Sequence, residues 1–305
     1  MSSLRLQILG CSSATPTKDR FPTAQVLTVG SRKILIDCGE GTQVQMLHYG
    51  INAHKIDTIL ISHLHGDHYF GLIGLLCTMS LMGRKNEVVL IGPPPLKQII
   101  DIQLENTGNH LEYNLKFIPN KTNSFKEIYS TETYKISSFP LKHRITCNGF
   151  MIEEVYSKLP LNYAKCKELG IPKEYFDRIK SGADYIPVEG ETIPNSELVY
   201  PRKKQSKYAY VSDTLFDPEL AKSLPSPDLL YHEATFLHEL EERAKSTFHS
   251  TAKQAGQFAS MCNAQQLLIG HYSARYKETV SLLNEAQGEF ANTIAAHEGL
   301  EIAVL

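Results

Sequence analysis

Ile59-Leu60-Ile61-Ser62-His63-Leu64-His65-Gly66-Asp67-His68 is an apolar run that opens onto three histidines and a carboxylate. The apolar part reads as a buried strand, and the loop it delivers is rich in metal-ligating side chains. In extended chain the i, i+2 spacing sets His63 and His65 side by side, while Gly66 relieves a sharp bend so that Asp67 and His68 turn toward a second point. That arrangement suits two adjacent metal ions. Two ions need more ligands than one loop holds, so further His, Asp or Glu residues are expected at the ends of other strands facing the same side.

Candidates stand where that expectation places them. His143 follows a strand-like segment at 133–139, Asp213 follows one at 207–211, and His271 follows the run Leu267-Leu268-Ile269-Gly270. Each alone is an ordinary surface histidine or capping aspartate. Their shared position past a strand matters because sites in α/β sheets gather at the carboxyl ends of strands. Other candidate strands are 4–9, 24–29, 33–36, 58–61, 87–91, 116–119, 149–154, 229–232 and 266–269. Helical periodicity marks 70–82, 95–106, 238–244, 251–259 and 276–287, with Thr251 a suitable N-cap and Pro95 suited to a first turn. The alternation gives a mixed α/β core.

Composition narrows the class. The 305 residues are 42% hydrophobic and 21% charged, which excludes disorder as the main theme, and a net charge of -2 excludes an indiscriminate polycation. Six cysteines without a CxxC pair read as reduced thiols in a cytoplasmic protein. MSSLRLQILG enters a strand directly, so no signal peptide is expected, and the apolar stretch 71–82 is shorter than the roughly 20 residues a membrane span needs. From Val155 to Pro201 the texture changes: frequent Gly and Pro argue for an extended arm with little core of its own, or a long surface loop. From Lys158 to Lys207 ten Lys or Arg face seven Asp or Glu, net +3, leaving -5 elsewhere.

These residues carry a resemblance to the metallo-β-lactamase superfamily, through Asp37 in Leu35-Ile36-Asp37-Cys38-Gly39-Glu40-Gly41, the HxHxDH loop, His143, Asp213 and His271. Within it the chain resembles the ribonuclease Z family, through Pro16-Thr17-Lys18-Asp19-Arg20, His232-Glu233-Ala234-Thr235, His249-Ser250-Thr251 and His271-Tyr272-Ser273-Ala274-Arg275-Tyr276. The resemblance implies an α/β fold, a four-layer αβ/βα sandwich. Residues 1–154 and 202–305 would form its core, and an inserted flexible arm at 155–201 would bind tRNA. It implies two Zn2+ per subunit, with Mn2+ or Fe2+ as alternatives. His63, His65 and His143 would hold one ion, Asp67, His68 and His271 the other, and Asp213 would bridge both. Asp37 would orient the ligand loop, Asp67 would accept a proton from the attacking water, and His249, oriented by Glu233, would supply a proton to the leaving oxygen.

The expected activity is endonucleolytic cleavage of precursor tRNA on the 3′ side of the discriminator nucleotide by a hydroxide bridging the two metals, leaving a tRNA 3′-hydroxyl and a trailer 5′-phosphate. Lys18 and Arg20 are candidate substrate contacts, although Phe21 replaces the family's frequent Asn. The arm's Lys173-Glu174-Tyr175-Phe176 replaces a usual Gly-Pro run, and Tyr175 and Phe176 are expected to pack within the arm. A homodimer is implied, with 72–82 either an interface stripe or core. Two alternatives stay open: another hydrolase on this scaffold acting on a small substrate, and a catalytically silent RNA binder.

Overall fold

The structure is a computed structural model that describes residues 4–156, 158–201 and 204–305. Ser157, inside the expected arm, and Arg202 and Lys203, inside the charge count above, lie outside the described residues. Two seven-stranded sheets face each other. The first contains β1 (Leu4–Gly10), β2 (Ala24–Val29), β3 (Arg32–Cys38), β4 (Ile56–Leu60), β5 (Val88–Gly92) and β6 (Leu115–Pro119). The second contains β7 (Lys126–Ser130), β8 (Tyr134–Leu141), β9 (Cys147–Glu154), β10 (Lys207–Val211), β11 (Leu229–Glu233), β12 (Gln266–Gly270) and β13 (Thr293–Ala295); β14 (Glu301–Ala303) returns to the edge of the first beside β1.

Each sheet is antiparallel at one side and parallel at the other. β3, β4, β5 and β6 run parallel, as do β10, β11, β12 and β13. Alternation along the strands divides their side chains between layers. Ile34, Ile36 and Leu60 face the second sheet, whereas Leu35, Ile59 and Ile61 face out, under α1 (Thr42–His48), α2 (Leu72–Leu81) and α3 (Pro95–Asn106). On the other outer face α4 (Ala252–Met261) and α5 (Val280–Glu289) cover the second sheet with Phe258 and Leu282. The result is the four-layer αβ/βα sandwich. Thr251 caps α4 as expected: its hydroxyl accepts from the Gln254 N–H, and the Gln254 side chain accepts from the Thr251 N–H at 3.0 Å.

Several expectations change. Of the stripe at 72–82, Leu72, Leu75, Leu76 and Met79 are core, and only Leu81 and Met82 at its end are strongly exposed. The insertion is more than an extended arm: Cys166, Ile171, Ile179 and Leu198 form a small core separate from the two main ones, with Tyr175 and Phe176 packed against it. Its Gly and Pro residues turn the chain between short helices, Tyr163–Glu168, Phe176–Lys180 and Asn195–Leu198, instead of drawing it out. Its charge also reads differently, because four of the ten basic residues counted (202, 203, 204 and 207) follow Pro201. Within 155–201 six Lys or Arg face seven Asp or Glu. The six cysteines are free thiols, and no helix among the described residues is long and apolar enough to cross a membrane.

The turn after β3 is pressed against the ligand loop by two glycines. Gly71 N–H donates to the Cys38 carbonyl at 2.9 Å. A Cβ on Gly71 would lie 2.2 Å from the Gly39 carbonyl oxygen, and one on Gly39 would lie 2.5 Å from the Asp67 carbonyl oxygen. Gly71→Ala therefore forces backbone apart, at a cost of about 1–3 kcal/mol. The expected result is a lower denaturation midpoint by circular dichroism together with reduced metal retention on gel filtration; a wild-type midpoint would refute the contact.

Candidate metal centre

All the candidate ligands, and the carboxylates that would orient them or His249, stand at one edge of the sandwich. Asp37 is the penultimate residue of β3, the HxHxDH loop leaves β4, His143 follows β8, Asp213 follows β10, Glu233 ends β11 and His271 follows β12. Three of these residues, Asp37 (φ 56°), Asp213 (φ 63°) and His271 (φ 57°), occupy the left-handed region. Such backbone costs an L-residue energy and turns each side chain sharply off its strand axis.

The imidazole nitrogens converge in two groups. His65 Nδ1 lies 3.0 Å from His63 Nε2 and 3.1 Å from His143 Nε2. In the second group Asp67 Oδ2 lies 3.4 Å from His68 Nε2 and 3.5 Å from His271 Nε2. Asp213 faces both: Oδ1 is 3.9 Å from His63 Nε2 and from His143 Nε2, while Oδ2 is 3.2 Å from His68 Nε2 and 3.3 Å from His271 Nε2.

The far side of three of these rings is held. His143 Nδ1–H donates to the Phe248 carbonyl at 3.1 Å, His68 Nδ1–H donates to Asp37 Oδ2 at 2.8 Å, and His271 Nδ1 is 3.0 Å from Thr235 Oγ1. Fixing one ring nitrogen presents the other as a ligand. Nε2 of His68 and of His271 are buried and make no hydrogen bond among the described residues. Buried nitrogens without partners, aimed at two carboxylates, are the donor set of a cation site. Electrostatics agree. Burial pushes His63, His65 and His143 below the usual histidine range, toward the neutral form a ligand needs. Burial acts on His68 in the same direction, yet Asp213, Asp67 and Asp37 outweigh it and raise its pKa: the position calls for positive charge, which a divalent cation supplies.

Beside this cluster, Glu233 Oε2 accepts from His249 Nδ1–H at 3.0 Å, and Glu233 Oε1 accepts from the Thr214 N–H at 2.7 Å. Burial disfavours charge on His249, but Glu233, with Asp213 and Asp67 behind it, prevails and pushes the imidazole up to about 9. His249 and Asp67 both line an open cleft of about 410 Å³. His232 of the same motif is turned into the core, its ring 4.8 Å from Phe258.

The two basic candidates of the first loop separate. Lys18 is exposed. Arg20 is buried: its guanidinium donates to the Tyr276 carbonyl and lies 5.7 Å from the Tyr272 ring centre, so it ties the loop down. That loop is held over the site by a two-strand ribbon, Ser12–Ser13 with Tyr272–Ser273, and the Ala14 N–H donates to Asp67 Oδ2 at 2.8 Å. Sequence reading missed this contact, since backbone N–H groups carry no residue signature. It also missed Arg144, an exposed cation lining the cleft; its place directly after His143 was the available signal.

The family model described as anti-Pycsar protein Apyc1 matches residues 4–158. Over the full length the chain is similar to ribonuclease Z of Bacteroides fragilis, 40% identical over 304 residues that make up 100% of both chains. It is likewise 40% identical over 302 residues to ribonuclease Z of Porphyromonas gingivalis, covering 99% of each. Among solved structures it resembles human tRNase Z, short form, with a TM-score of 0.71, 26% identity and 99% of each chain covered. The metallo-β-lactamase fold protein YhfI from Bacillus subtilis shares the fold, with a TM-score of 0.68 and 17% identity over 98% of each chain.

The geometry generates a stoichiometric expectation. Purified protein should bind two divalent ions per chain by elemental analysis. Asp37→Ala should weaken affinity by about 10–100-fold, because it frees the His68 ring. Chelation should lower the thermal midpoint, as loss of any ligand specific to the folded state does. A midpoint indifferent to both chelator and added zinc would exclude a metal centre here.

Proposed function

The chain belongs to the ribonuclease Z family, and from that membership we propose a metal-dependent endoribonuclease that cuts precursor tRNA 3′ of the discriminator nucleotide, leaving a tRNA 3′-hydroxyl and a trailer 5′-phosphate. The carrying observation is the extent of the identity. It is 40% over 304 residues that make up the full length of both chains, whereas the Apyc1 model ends at residue 158. Zinc is the proposed ion, on a donor set of imidazoles and carboxylates, and the cytoplasm the proposed compartment.

Held by the two ligand groups, a pair of divalent ions would supply water activation near neutral pH and charge stabilisation on the phosphoryl oxygens. The remaining work falls to the chain. Asp67, its Oδ2 held by the Ala14 N–H, faces the attacking water as proton acceptor and orienter. His249 hands a proton to the departing 3′-oxygen of the tRNA. Glu233 receives the Nδ1–H and keeps the imidazole charged for that transfer. Arg144 at the cleft wall and Lys18 on the loop meet backbone phosphates. The insertion at 155–201, with a core of its own, is the proposed tRNA-gripping module. Exposed Val44, Leu47, Leu81, Met82 and Ile102 on α1, at the end of α2 and on α3 form the proposed contact for a second copy. Full activity from a strict monomer in light scattering would refute that contact.

Leaving-group chemistry gives the sharpest test. His249→Ala should lower cleavage of precursor tRNA by about 10²–10⁴-fold. It should largely spare bis(p-nitrophenyl) phosphate, whose leaving phenolate needs no proton; equal losses on both would remove His249 from the acid role. Deleting 159–200 should invert the selectivity, abolishing tRNA cleavage and leaving the small diester. Arg144→Ala should raise KM for precursor tRNA and flatten the slope of log affinity against log salt by about 0.7–0.9, one phosphate contact's worth.

A further inference from the structure

Asp37 is fully buried, and no Lys or Arg lies within salt-bridge distance of it among the described residues. Four donors satisfy it. Oδ1 accepts from the Ser62 N–H at 2.8 Å, while Oδ2 accepts from Ser62 Oγ at 2.9 Å, His68 Nδ1–H at 2.8 Å and the Tyr210 hydroxyl at 2.7 Å. Ser62 and His68 belong to the ligand loop itself. Tyr210 is the one donor from the opposite sheet. It lies on β10 three residues before Asp213, its ring stacked on Tyr231 at 5.3 Å, and it reaches across the core.

Both proposed metal positions draw ligands from both sheets: His63 and His65 with His143, and Asp67 and His68 with His271. The distance between the sheets at this edge therefore sets ligand geometry, and interiors packed at crystal density still need a directional contact to fix it to a few tenths of an ångström. We propose that Tyr210 is a positioning residue for the metal centre. Its hydroxyl locks the Asp37–His68 pair of the first sheet in register with Asp213 and His271 of the second, and thereby sets affinity at the Asp67–His68–His271 position. The inference rests on the metal reading of the cluster and is independent of the RNA substrate.

Tyr208 supplies the control. It too is fully buried on β10 and sends its hydroxyl across the core, but to Gln25 Oε1, away from the ligands. Stepwise Zn2+ titration against a chelating dye, and Co2+ titration followed by d–d absorbance, read the two positions separately. Tyr210→Phe should weaken one of the two binding steps by about 10–100-fold, the range for residues that orient a ligand, and alter the matching Co2+ band. Tyr208→Phe should leave both steps at wild-type values. Unchanged affinities in Tyr210→Phe, or equal losses in the two variants, would overturn the proposal, the second result pointing to sheet packing in general. Should the phenylalanine variant not fold, 3-fluorotyrosine at position 210 keeps the ring and changes the donor strength; it should shift the same binding step, and no shift would overturn the proposal. Wild-type protein that takes up no metal defeats the metal reading itself, a result distinct from all of these.

Discussion

A carboxylate sealed from water is among the costliest groups a core can hold, and Asp37 is one, with no Lys or Arg within salt-bridge distance among the described residues. It is sustained only by the donors pointed at it, so the parts of the chain that carry those donors are fixed relative to one another. The Ser62 contacts draw the ligand loop back over the end of β3, and the His68 contact presents Nε2 to the cluster. The close approach of Gly39 and Gly71 follows, since only two glycines let those turns meet. Strand ends, loop and ligand geometry are consequences of one buried charge that must be satisfied.

The backbone bears a second cost at the same edge. Asp37, Asp213 and His271 are held in the left-handed region, where the surrounding structure must over-determine the conformation. Each is gripped from several directions: Asp37 by its donors, Asp213 between two histidine groups, His271 through Thr235. Strain placed on two candidate ligands and on the carboxylate that orients a third fits a preorganised centre. Cations bound at this cluster of carboxylates would balance its charge and couple the stability of this edge to metal binding.

The sequence made most of this legible because its signals are local. A strand of β-branched and leucine residues followed by a histidine loop is written in consecutive letters, and the same pattern past 139, 211 and 270 picks out the other candidate ligands, which the structure brings to the same edge. The elements that escaped are those with weak local signals. β7 is an edge strand, Lys-Glu-Ile-Tyr-Ser, exposed at most positions, and β13 and β14 are only three residues long. Arg20 and Arg144 were misjudged in opposite senses for one reason. Whether a guanidinium faces solvent or a carbonyl 256 residues away depends on tertiary contacts that spacing does not encode. Tyr210 was invisible for the same reason, a core aromatic in a strand until its hydroxyl is seen to end on Asp37.

Selectivity for a large RNA has to be built away from the metals, since the same ligand set serves many hydrolases. Net charge does not build it here: within 155–201 acids outnumber bases by one, and Lys204 and Lys207 beyond it are engaged with Asp228 and Glu153. What the insertion has is its own small packed core, against which a set of short helices is arranged. An ordered surface of mixed charge binds by shape and by a few placed contacts, and its affinity falls less steeply with salt than that of a basic patch. On the proposed reading, recognition of a folded RNA by such a module, and of its scissile end by a cleft with Arg144 at its wall, would divide specificity from chemistry. That division would suit a chain of net charge -2 to act on a polyanion.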